Sequence, residues 1–299
     1  MDNRDSNPTA SPWKACDYEL IDSGEGRKLE RFGAYIIDRP CSQAMWNKQL
    51  KAEEWRKAHA FFERISDKEG HWEYKGKVPS QWTIAIGDVQ LKVSPTPFGH
   101  LGIFPEHLTT WTWLSERIAD LSPLCEEQRP RILNLFAYSG ASTMFCAKAG
   151  AQTVHLDASK PMMTWAKENA ELSRIPSDRV IWMLDDVHKF LEREIRRGRR
   201  YDGIILDPPS FGRGPKKELF KIESDLVHLL TASQQLLSEG SGRFALASCH
   251  TPGISPRILQ NLVEQVFGNQ GLAQSGEMMN PSRAGLPLPT GLFCHWTRR

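Results

Sequence analysis

Four short polar segments between residues 134 and 211 each follow a run of apolar residues, and two of them carry aspartates suited to a nucleoside. Asp157 ends one run, and a carboxylate there can accept hydrogen bonds from both hydroxyls of a ribose. Asp186 follows another run, where it can accept from an adenine amino group while Val187 covers the ring. The alternatives are that Asp157 starts a loop and that Asp186 complements the dipole at a helix start.

The turn after the first apolar run, residues 134–141, contains small residues and a single glycine, Gly140. Such a turn lets a ligand approach the backbone, and the helix that follows presents free N–H groups. A pyrophosphate-bearing dinucleotide usually needs the closer Gly-x-Gly-x-x-Gly spacing, so this segment disfavours NAD. A tight strand–helix connection that holds no ligand is the alternative.

The remaining segment, residues 207–211, reads Asp-Pro-Pro-Ser-Phe and follows a buried-type apolar run. Two consecutive prolines fix an extended backbone without N–H donors, which leaves carbonyl groups free to accept hydrogen bonds. Together with the carboxylate of Asp207, these carbonyls suit an amino group or the edge of a planar base. Each segment alone is modest evidence, but four of them at successive predicted strand ends support one another.

The elements that position these segments alternate between strand and helix. The apolar patterns predict strands at 131–135, 153–157, 180–184, 203–206 and 243–248, with amphipathic helices between them. Two last apolar stretches, 272–278 and 291–296, have no helix-sized pattern between them and can pair only as an antiparallel hairpin. We therefore predict an α/β fold with a mostly parallel, Rossmann-like sheet and a terminal antiparallel hairpin. Ligands bind such sheets at the carboxyl ends of the strands.

The first hundred residues follow a different pattern. We expect a flexible lead-in over residues 1–28, a small α+β domain over 29–97 and the ligand-binding domain over 98–299. Within the small domain the sequence predicts a strand at 32–37, a helix at 42–65 and a β-hairpin at 84–93. In the hairpin, apolar residues alternate around a Gly-Asp turn.

Composition limits the class of protein. Among 299 residues, 40% are hydrophobic and 25% charged, which is typical of a soluble globular protein. No apolar run approaches the roughly 20 residues of a membrane helix, and the polar start lacks the features of a signal peptide. Six scattered cysteines indicate neither a zinc cluster nor a disulfide framework, so we expect a cytoplasmic protein without a metal. A net charge of +2 means that affinity for nucleic acid must come from local patches.

Residues 131–211 resemble the class I S-adenosylmethionine-dependent methyltransferase core of the PUA-linked large-subunit rRNA methyltransferase family, which includes cytosine-5 and guanine-7 enzymes. The motifs that carry the resemblance are segments 133–140, 157–160, 165–169, 186–187 and 207–211. The resemblance implies S-adenosylmethionine as the cofactor, with its methionine part at the first turn, its ribose at Asp157 and its adenine at Asp186. The cofactor-binding residues it implies are Phe136, Ala137, Tyr138, Gly140, Asp157, Ala158, Ser159, Asp186, Val187 and Asp207.

Two features depart from that family. Residues 101–107 look like its Gly-x-Phe-x-Asp-x-Arg segment, which packs beside the cofactor, and so predict a contact through Phe104. Glu106 replaces the aspartate, however, and Leu108 stands at the arginine position. The chain also has no PUA-like start, so the RNA-docking module of the family cannot be assumed.

The acceptor of the methyl group is open between two types of atom. A base nitrogen can be held by Asp207 and the carbonyl of Pro208, beside Ser210 and with Phe211 stacked on the ring. A cytosine carbon instead needs a transient adduct with a thiolate. Cys249 follows the fifth strand in a Ser-Cys-His segment, where cytosine-5 members of the family have Ser-Cys-Ser. A small buried hydrophobe is the alternative for this cysteine.

Basic residues beside these segments suggest the substrate. Arg213, with Lys216 and Lys217, follows the Asp-Pro-Pro segment on a loop that can clamp a substrate. Five arginines within 193–200 are better explained by the end of a helix. We predict a methyltransferase that acts on RNA, with rRNA as the first choice. The alternatives are a small-molecule or protein methyltransferase and a cofactor-binding RNA scaffold without turnover, and the oligomeric state is open.

Overall fold

The computed structural model describes residues 16–66, 69–125, 128–213 and 219–299. A five-stranded sheet comes first, with strands in chain order and a short helix between the third and fourth strands. All of its neighbouring strands are antiparallel except the third and fourth, which are parallel. Its elements are β1 (Tyr18–Gly24), β2 (Arg27–Phe32), β3 (Tyr35–Pro40), α1 (Ala52–Trp55), β4 (Ala60–Ser66) and β5 (Glu69–Tyr74).

This sheet corrects three predictions. The lead-in expected over 1–28 is wrong from Tyr18 onwards, because residues 18–28 form β1 and the start of β2; residues 1–15 lie outside the described chain. The strand expected at 32–37 contains the tight turn at Gly33 that joins β2 to β3.

The helix expected over 42–65 is confined to α1. The carboxylate of Asp22 accepts hydrogen bonds from the backbone N–H groups of Gln49 and Leu50 and from the indole of Trp55, at 2.9 to 3.3 Å. The side chain of Asp22 thereby binds backbone N–H groups that a helix would have used in its own hydrogen bonds. Local periodicity cannot reveal a competition of this kind, because Asp22 is distant in the sequence.

The rest of the chain alternates between strand and helix, as predicted. The elements are β6 (Trp82–Ile86), β7 (Val89–Val93), α2 (Leu108–Leu121), β8 (Arg131–Leu135), α3 (Ala141–Lys148), β9 (Gln152–Asp157), α4 (Lys160–Leu172), β10 (Val180–Leu184), α5 (Val187–Arg196), β11 (Gly203–Leu206), β12 (Phe211–Arg213), β13 (Leu219–Lys221), α6 (Ile222–Leu236), β14 (Phe244–Cys249), α7 (Pro256–Phe267), β15 (Gly271–Asn280) and β16 (Leu288–Arg298).

A seven-stranded sheet in the order β10-β9-β8-β11-β14-β16-β15 forms the core of this part. Its first five strands are parallel, and β16 and β15 form the expected antiparallel hairpin. After β8 the chain moves outward through β9 and β10, and β11 then returns to the other side of β8. The crevice for a ligand therefore opens beyond the carboxyl ends of β8 and β11. None of the described helices combines the length and the apolar character that crossing a membrane requires.

Alternate residues of each strand enter different cores, one on each face of the sheet. On β8, Ile132 joins the core that includes α2 and α3, while Leu133 joins the core that includes α5, α6 and α7. The helix between β11 and β14 begins at Ile222, because the residues just before it, Leu219 to Lys221, pair with Phe211 to Arg213.

The predicted hairpin at 84–93 forms as β6 and β7, with Gly87 in the left-handed region at its turn. It forms a two-stranded sheet of its own that packs on α4, and Ala85 also exchanges hydrogen bonds with Asp17 just before β1. The N–H groups of Gln90 and Lys92 donate to Ser173 Oγ and Asn169 Oδ1, at 2.9 and 2.8 Å. We therefore place the boundary between the two parts before Trp82 rather than near residue 98.

Candidate functional site

A cleft of about 1240 Å³ lies at the carboxyl ends of the parallel strands and is closed on one side by the five-stranded sheet. Most of the predicted site residues line it: Phe104, Phe136, Tyr138, Asp157, Ala158, Ser159, Asp186, Val187, Asp207 and Pro208. Ala137 lines a small adjoining cavity with its neighbours Phe136 and Tyr138. The order of the strands therefore brings together segments that are far apart in the sequence.

The turn after β8 has an unusual backbone. Phe136 and Tyr138 both have φ in the left-handed region, at 57° and 52°, and Gly140 follows at 86°. Two bulky residues in this region cost about 1–3 kcal/mol each and tend to occur where a site imposes them. The amide of Asn169 on α4 donates to the carbonyl of Ser139 at 2.8 Å and holds the turn in place.

Asp157 fastens this turn to the end of β9. Its Oδ2 accepts from the N–H of Tyr138 and its Oδ1 from the N–H of Ser159, both at 2.8 Å. Burial raises the pKa of the Asp157 carboxyl, and the N–H groups oppose that rise. A carboxylate has about four lone-pair positions, so two are left for the hydroxyls of a ribose.

Asp186 is the N-cap of α5, and its Oδ1 accepts from the N–H of Lys189 at 3.1 Å. The helix-start interpretation therefore holds for one oxygen of this carboxylate, although the residue also lines the cleft. Its neighbour Asp185 is engaged by Arg193 at 2.7 Å. Arg193, the first arginine of the 193–200 cluster, is therefore explained by its place in the last turn of α5 and its ion pair with Asp185.

Asp207, at the end of β11, lies between two histidines to which the sequence motifs assign no role. Its Oδ2 is 3.4 Å from His107 Nε2, its Oδ1 is 3.8 Å from His250 Nε2, and Ser248 Oγ donates to Oδ1 at 2.5 Å. Burial opposes ionisation of Asp207, but the histidines and Ser248 outweigh it and hold the pKa of the carboxyl well below its usual range. Conversely, burial disfavours protonated His107, but the charge of Asp207 prevails and raises the pKa of His107.

These histidines stand out in the sequence only as neighbours of other motifs. His107 ends the segment that contains Phe104, and His250 follows Cys249. The ring of Phe104 lies 5.5 Å from that of Tyr138 and 5.8 Å from that of His250, between centroids. Phe104 therefore links the turn after β8 to the histidines.

Cys249 is not brought to the cleft. Its side chain is fully buried in the core beneath α6 and α7, and its Sγ accepts from the N–H of Thr251 at 3.4 Å. Ser248 and Cys249 are adjacent on β14 and so point to opposite faces of the sheet. Because Ser248 reaches Asp207, Cys249 must point away.

The predicted substrate residues are also placed differently. Phe211 is 53% exposed and does not line the cleft, whereas Phe220 does and lies 5.3 Å from the ring of Phe136. Ser210 Oγ accepts from Thr251 Oγ1 at 2.7 Å outside the cleft lining. The side chain of Arg213 and residues 216 and 217 lie outside the described part of the chain.

A basic wall, which we define as Lys28, Arg39 and Arg64, faces the cleft from the five-stranded sheet. Burial and these three cations lower the pKa of nearby His100 to about 4. Glu30 pairs with Lys28 and Arg39, at 3.1 and 2.6 Å, whereas Arg64 has no ion pair within the described ranges. The sequence does not reveal this wall because its members are separate in the chain.

Comparisons with known proteins agree with this geometry. A family model described as S-adenosylmethionine-dependent methyltransferase matches residues 82–281. A crystal structure of a SAM-dependent methyltransferase from Agrobacterium tumefaciens superimposes with a TM-score of 0.89 and 32% sequence identity. The match covers 95% of this chain and 91% of that one.

Among curated proteins, the ribosomal RNA large subunit methyltransferase K of Neisseria meningitidis is 30% identical over 169 residues, which are 56% of this chain and 45% of that protein. The ribosomal RNA large subunit methyltransferase K/L of Pseudoalteromonas translucida is 30% identical over 173 residues, or 56% of this chain and 23% of that protein. The chain thus spans less than half the length of these relatives.

Proposed function

The chain belongs to the S-adenosylmethionine-dependent methyltransferase family, and we propose that it methylates a base of large-subunit ribosomal RNA. The family supplies the activity and the cofactor. The names of the curated relatives support an rRNA substrate. An RNA substrate of this kind would place the protein in the cytoplasm.

The residues at the strand ends suit the cofactor. When bound, S-adenosylmethionine supplies an electrophilic methyl group on a sulfonium. We assign its ribose to Asp157, whose oxygens keep lone pairs, and its adenine to Asp186 and Val187. The turn around Phe136 and Tyr138 would hold the methionine part. Asp157 is ionised when it accepts two ribose hydroxyls, and its bonds to backbone N–H groups fix its direction.

The basic wall carries the proposal that the substrate is RNA. The cofactor residues and Arg64 line the same cleft from opposite sides, so a polyanion could pass between them. Lys and Arg contacts to phosphates supply most of the sequence-independent affinity for nucleic acid. The net charge of +2 by itself indicates no polyanionic partner, but this local cluster of cations can bind one.

The surroundings of Asp207 favour a base nitrogen as the acceptor. A cytosine carbon requires a thiolate within reach, and Cys249 lies in the opposite core. Because its pKa is far below the usual range, Asp207 is a poor base but a good hydrogen-bond acceptor for an amino group. It would orient the amino group, with the Pro208 carbonyl, for in-line attack on the methyl group.

Transfer of labelled methyl from S-adenosylmethionine to purified large-subunit rRNA tests this function. We expect label in the RNA, and we expect Arg64→Ala to raise the KM for RNA about tenfold while cofactor affinity is unchanged, as loss of one phosphate contact implies. Arg56→Ala is the matched control, since Arg56 is an exposed arginine of the same part of the chain that pairs with Glu53 away from the cleft.

Label that enters only a protein or a small molecule would overturn the RNA proposal. Equal KM values for the Arg64 and Arg56 variants would remove the basic wall from the substrate site.

A further inference from the structure

The hydrogen bonds of His250 determine which of its ring nitrogens carries a proton. Its Nδ1 lies 3.0 Å from the carbonyl oxygen of Thr290. A carbonyl only accepts hydrogen bonds, so Nδ1 must be the donor. In the neutral ring Nε2 then carries no proton. Its lone pair faces the carboxylate of Asp207, whose Oδ1 lies 3.8 Å away.

His107 is constrained in the same way. Its Nδ1 lies 3.3 Å from Thr110 Oγ1, which donates its own proton to the carbonyl of His107 at 2.8 Å. The hydroxyl can therefore only accept from Nδ1, which leaves a lone pair on Nε2 in the neutral ring. This Nε2 is buried, faces Asp207 at 3.4 Å and has no hydrogen-bond partner in the described residues. When both rings are neutral, as metal ligation requires, three acceptors therefore face one another.

The distances between these atoms resemble those between the ligand atoms around one metal ion. Hydrogen bonds between an imidazolium and a carboxylate are about 2.7–2.9 Å long, well below 3.4 and 3.8 Å. Two ligand atoms that each lie about 2.1 Å from one cation are roughly 3.4 Å apart when the angle between them is tetrahedral. The ligand atoms of His107, Asp207 and His250 all lie within 4.8 Å of one another.

We infer that His107, Asp207 and His250 form a binding site for one divalent transition-metal cation, beside the position of the methyl acceptor. Imidazole with a carboxylate suits ions of the zinc, cobalt, nickel and iron(II) class rather than Mg²⁺ or Ca²⁺, which prefer oxygen ligands. The two carbonyl and hydroxyl contacts at Nδ1 orient the rings in the way that outer partners orient histidine ligands.

The site can serve the substrate because Asp207 and His250 also line the cleft. Three protein ligands leave at least one coordination position, which an oxygen or ring nitrogen of the methyl acceptor could take. Glu106, the neighbour of His107, is buried with Oε2 unpartnered in the described chain and is a further carboxyl group beside the site. The inference stands on the geometry of these residues and does not require that the substrate be RNA.

Titration of the full chain with Co²⁺ alone, without cofactor or RNA, tests the site by calorimetry and by visible absorption of the bound ion. We expect one equivalent to bind, and we expect His250→Ala to weaken that binding at least about 100-fold, since loss of an outer partner alone costs about 10–100-fold. His107→Gln should do the same, and circular dichroism would show that each variant is folded. If the buried His107 variant does not fold, the half-buried His250 carries the test.

The control is His71→Ala, which removes the centre of an exposed cluster with Glu63 and Glu73 that offers the same ligand types on the surface of β4 and β5. It should leave the titration unchanged. Failure of the wild type to bind Co²⁺ at millimolar concentration, or loss of binding in His71→Ala but not in His250→Ala, would overturn the site. Metal binding without RNA methylation would support the site and refute the proposed function. RNA methylation without metal binding would support the proposed function and refute the site.

Discussion

Glu30, which is buried behind the basic wall, and Asp207, which is half-buried in the cleft, are carboxylates whose surroundings differ sharply. Glu30, on β2, accepts from Arg39 at 2.9 and 2.6 Å and from the hydroxyl of Tyr18 at 3.0 Å, and it pairs with Lys28 at 3.1 Å. Asp207 accepts from Ser248 but faces its two imidazole neighbours at 3.4 and 3.8 Å. One carboxylate has its hydrogen-bonding capacity filled from within the fold, and the other does not.

The difference separates a charge that the fold itself satisfies from one that keeps free hydrogen-bonding capacity. A buried charge is costly unless it is paired and hydrogen-bonded, and the donors around Glu30 meet that requirement. Asp207 accepts a hydrogen bond from Ser248 and keeps room for a further partner, either a cation or an amino group. A fold that only needed stability would have no reason to leave this capacity open, and the following changes test whether the two carboxylates really differ in this way.

Glu30→Gln should have the largest effect on stability. Breaking one partner of a buried pair costs about 3–5 kcal/mol because the other charge is left uncompensated. Denaturant unfolding at neutral pH would measure this, with Glu53→Gln, which removes an exposed pair with Arg56, as the control that stays close to wild type.

The same variant has a defined pH dependence. The cations beside Glu30 outweigh its burial and lower its pKa in the folded protein. Its contribution is therefore present above the unfolded value of about 4.3 and is lost as the pH falls through the lower folded value. The stability difference between wild type and Glu30→Gln should shrink below about pH 4; a difference that grows there would reverse the assignment.

Asp207→Asn should instead affect activity. The amide keeps the shape and an oxygen for Ser248 but loses the charge, so we expect methyl transfer to fall about 10²–10³-fold, as for loss of one preorganised polar contact. Single-turnover transfer of labelled methyl would measure the rate, and calorimetry should show unchanged cofactor affinity. A wild-type rate of methyl transfer in Asp207→Asn, or a loss of stability as large as that of Glu30→Gln, would show that the two carboxylates do not differ in this way.

Asp157→Ala probes a third carboxylate, which fastens the turn after β8 and to which we assign the ribose of the cofactor. Two hydrogen bonds from ribose hydroxyls to a charged group, at about 1.5 kcal/mol each, correspond to an affinity loss of roughly 100-fold. Titration with S-adenosylmethionine would measure the loss, with the exposed Asp178→Ala as the control. Unchanged affinity would remove Asp157 from the cofactor site.

Cys249→Ala should have the smallest effect. We expect transfer within about twofold of wild type, a difference of roughly 0.4 kcal/mol, and a loss of about 1 kcal/mol of stability from the cavity in the core. A variant that folds but transfers no methyl would restore the cytosine-carbon mechanism and make the position of Cys249 in the structure the point to explain.

The sequence predicted the main sheet far better than the five-stranded sheet. In the main sheet, apolar period and turn residues agree with the fold, and strands and the terminal hairpin lie where local pattern places them. In the five-stranded sheet, helix-like spacing in 42–65 is overridden by Asp22, which lies more than twenty residues away and binds that segment.

The candidate site divides in the same way. The polar residue at each strand end can be identified from sequence because parallel strands place their carboxyl ends at one edge of the sheet, and this rule groups Asp157, Asp186 and Asp207. The convergence of His107 and His250 on Asp207 follows from no such rule, because it depends on how the loop before α2 and the end of β14 lie against β11.

By itself, the sequence determined the alternation of strands and helices, the polar segments at the strand ends and the terminal hairpin, since all of these follow from local period and residue type. Only the tertiary structure decided that Ser248 rather than Cys249 faces Asp207. Adjacent strand residues point to opposite faces, and which face meets the cleft is set by the pairing of β14 with β11 and β16 rather than by β14 itself.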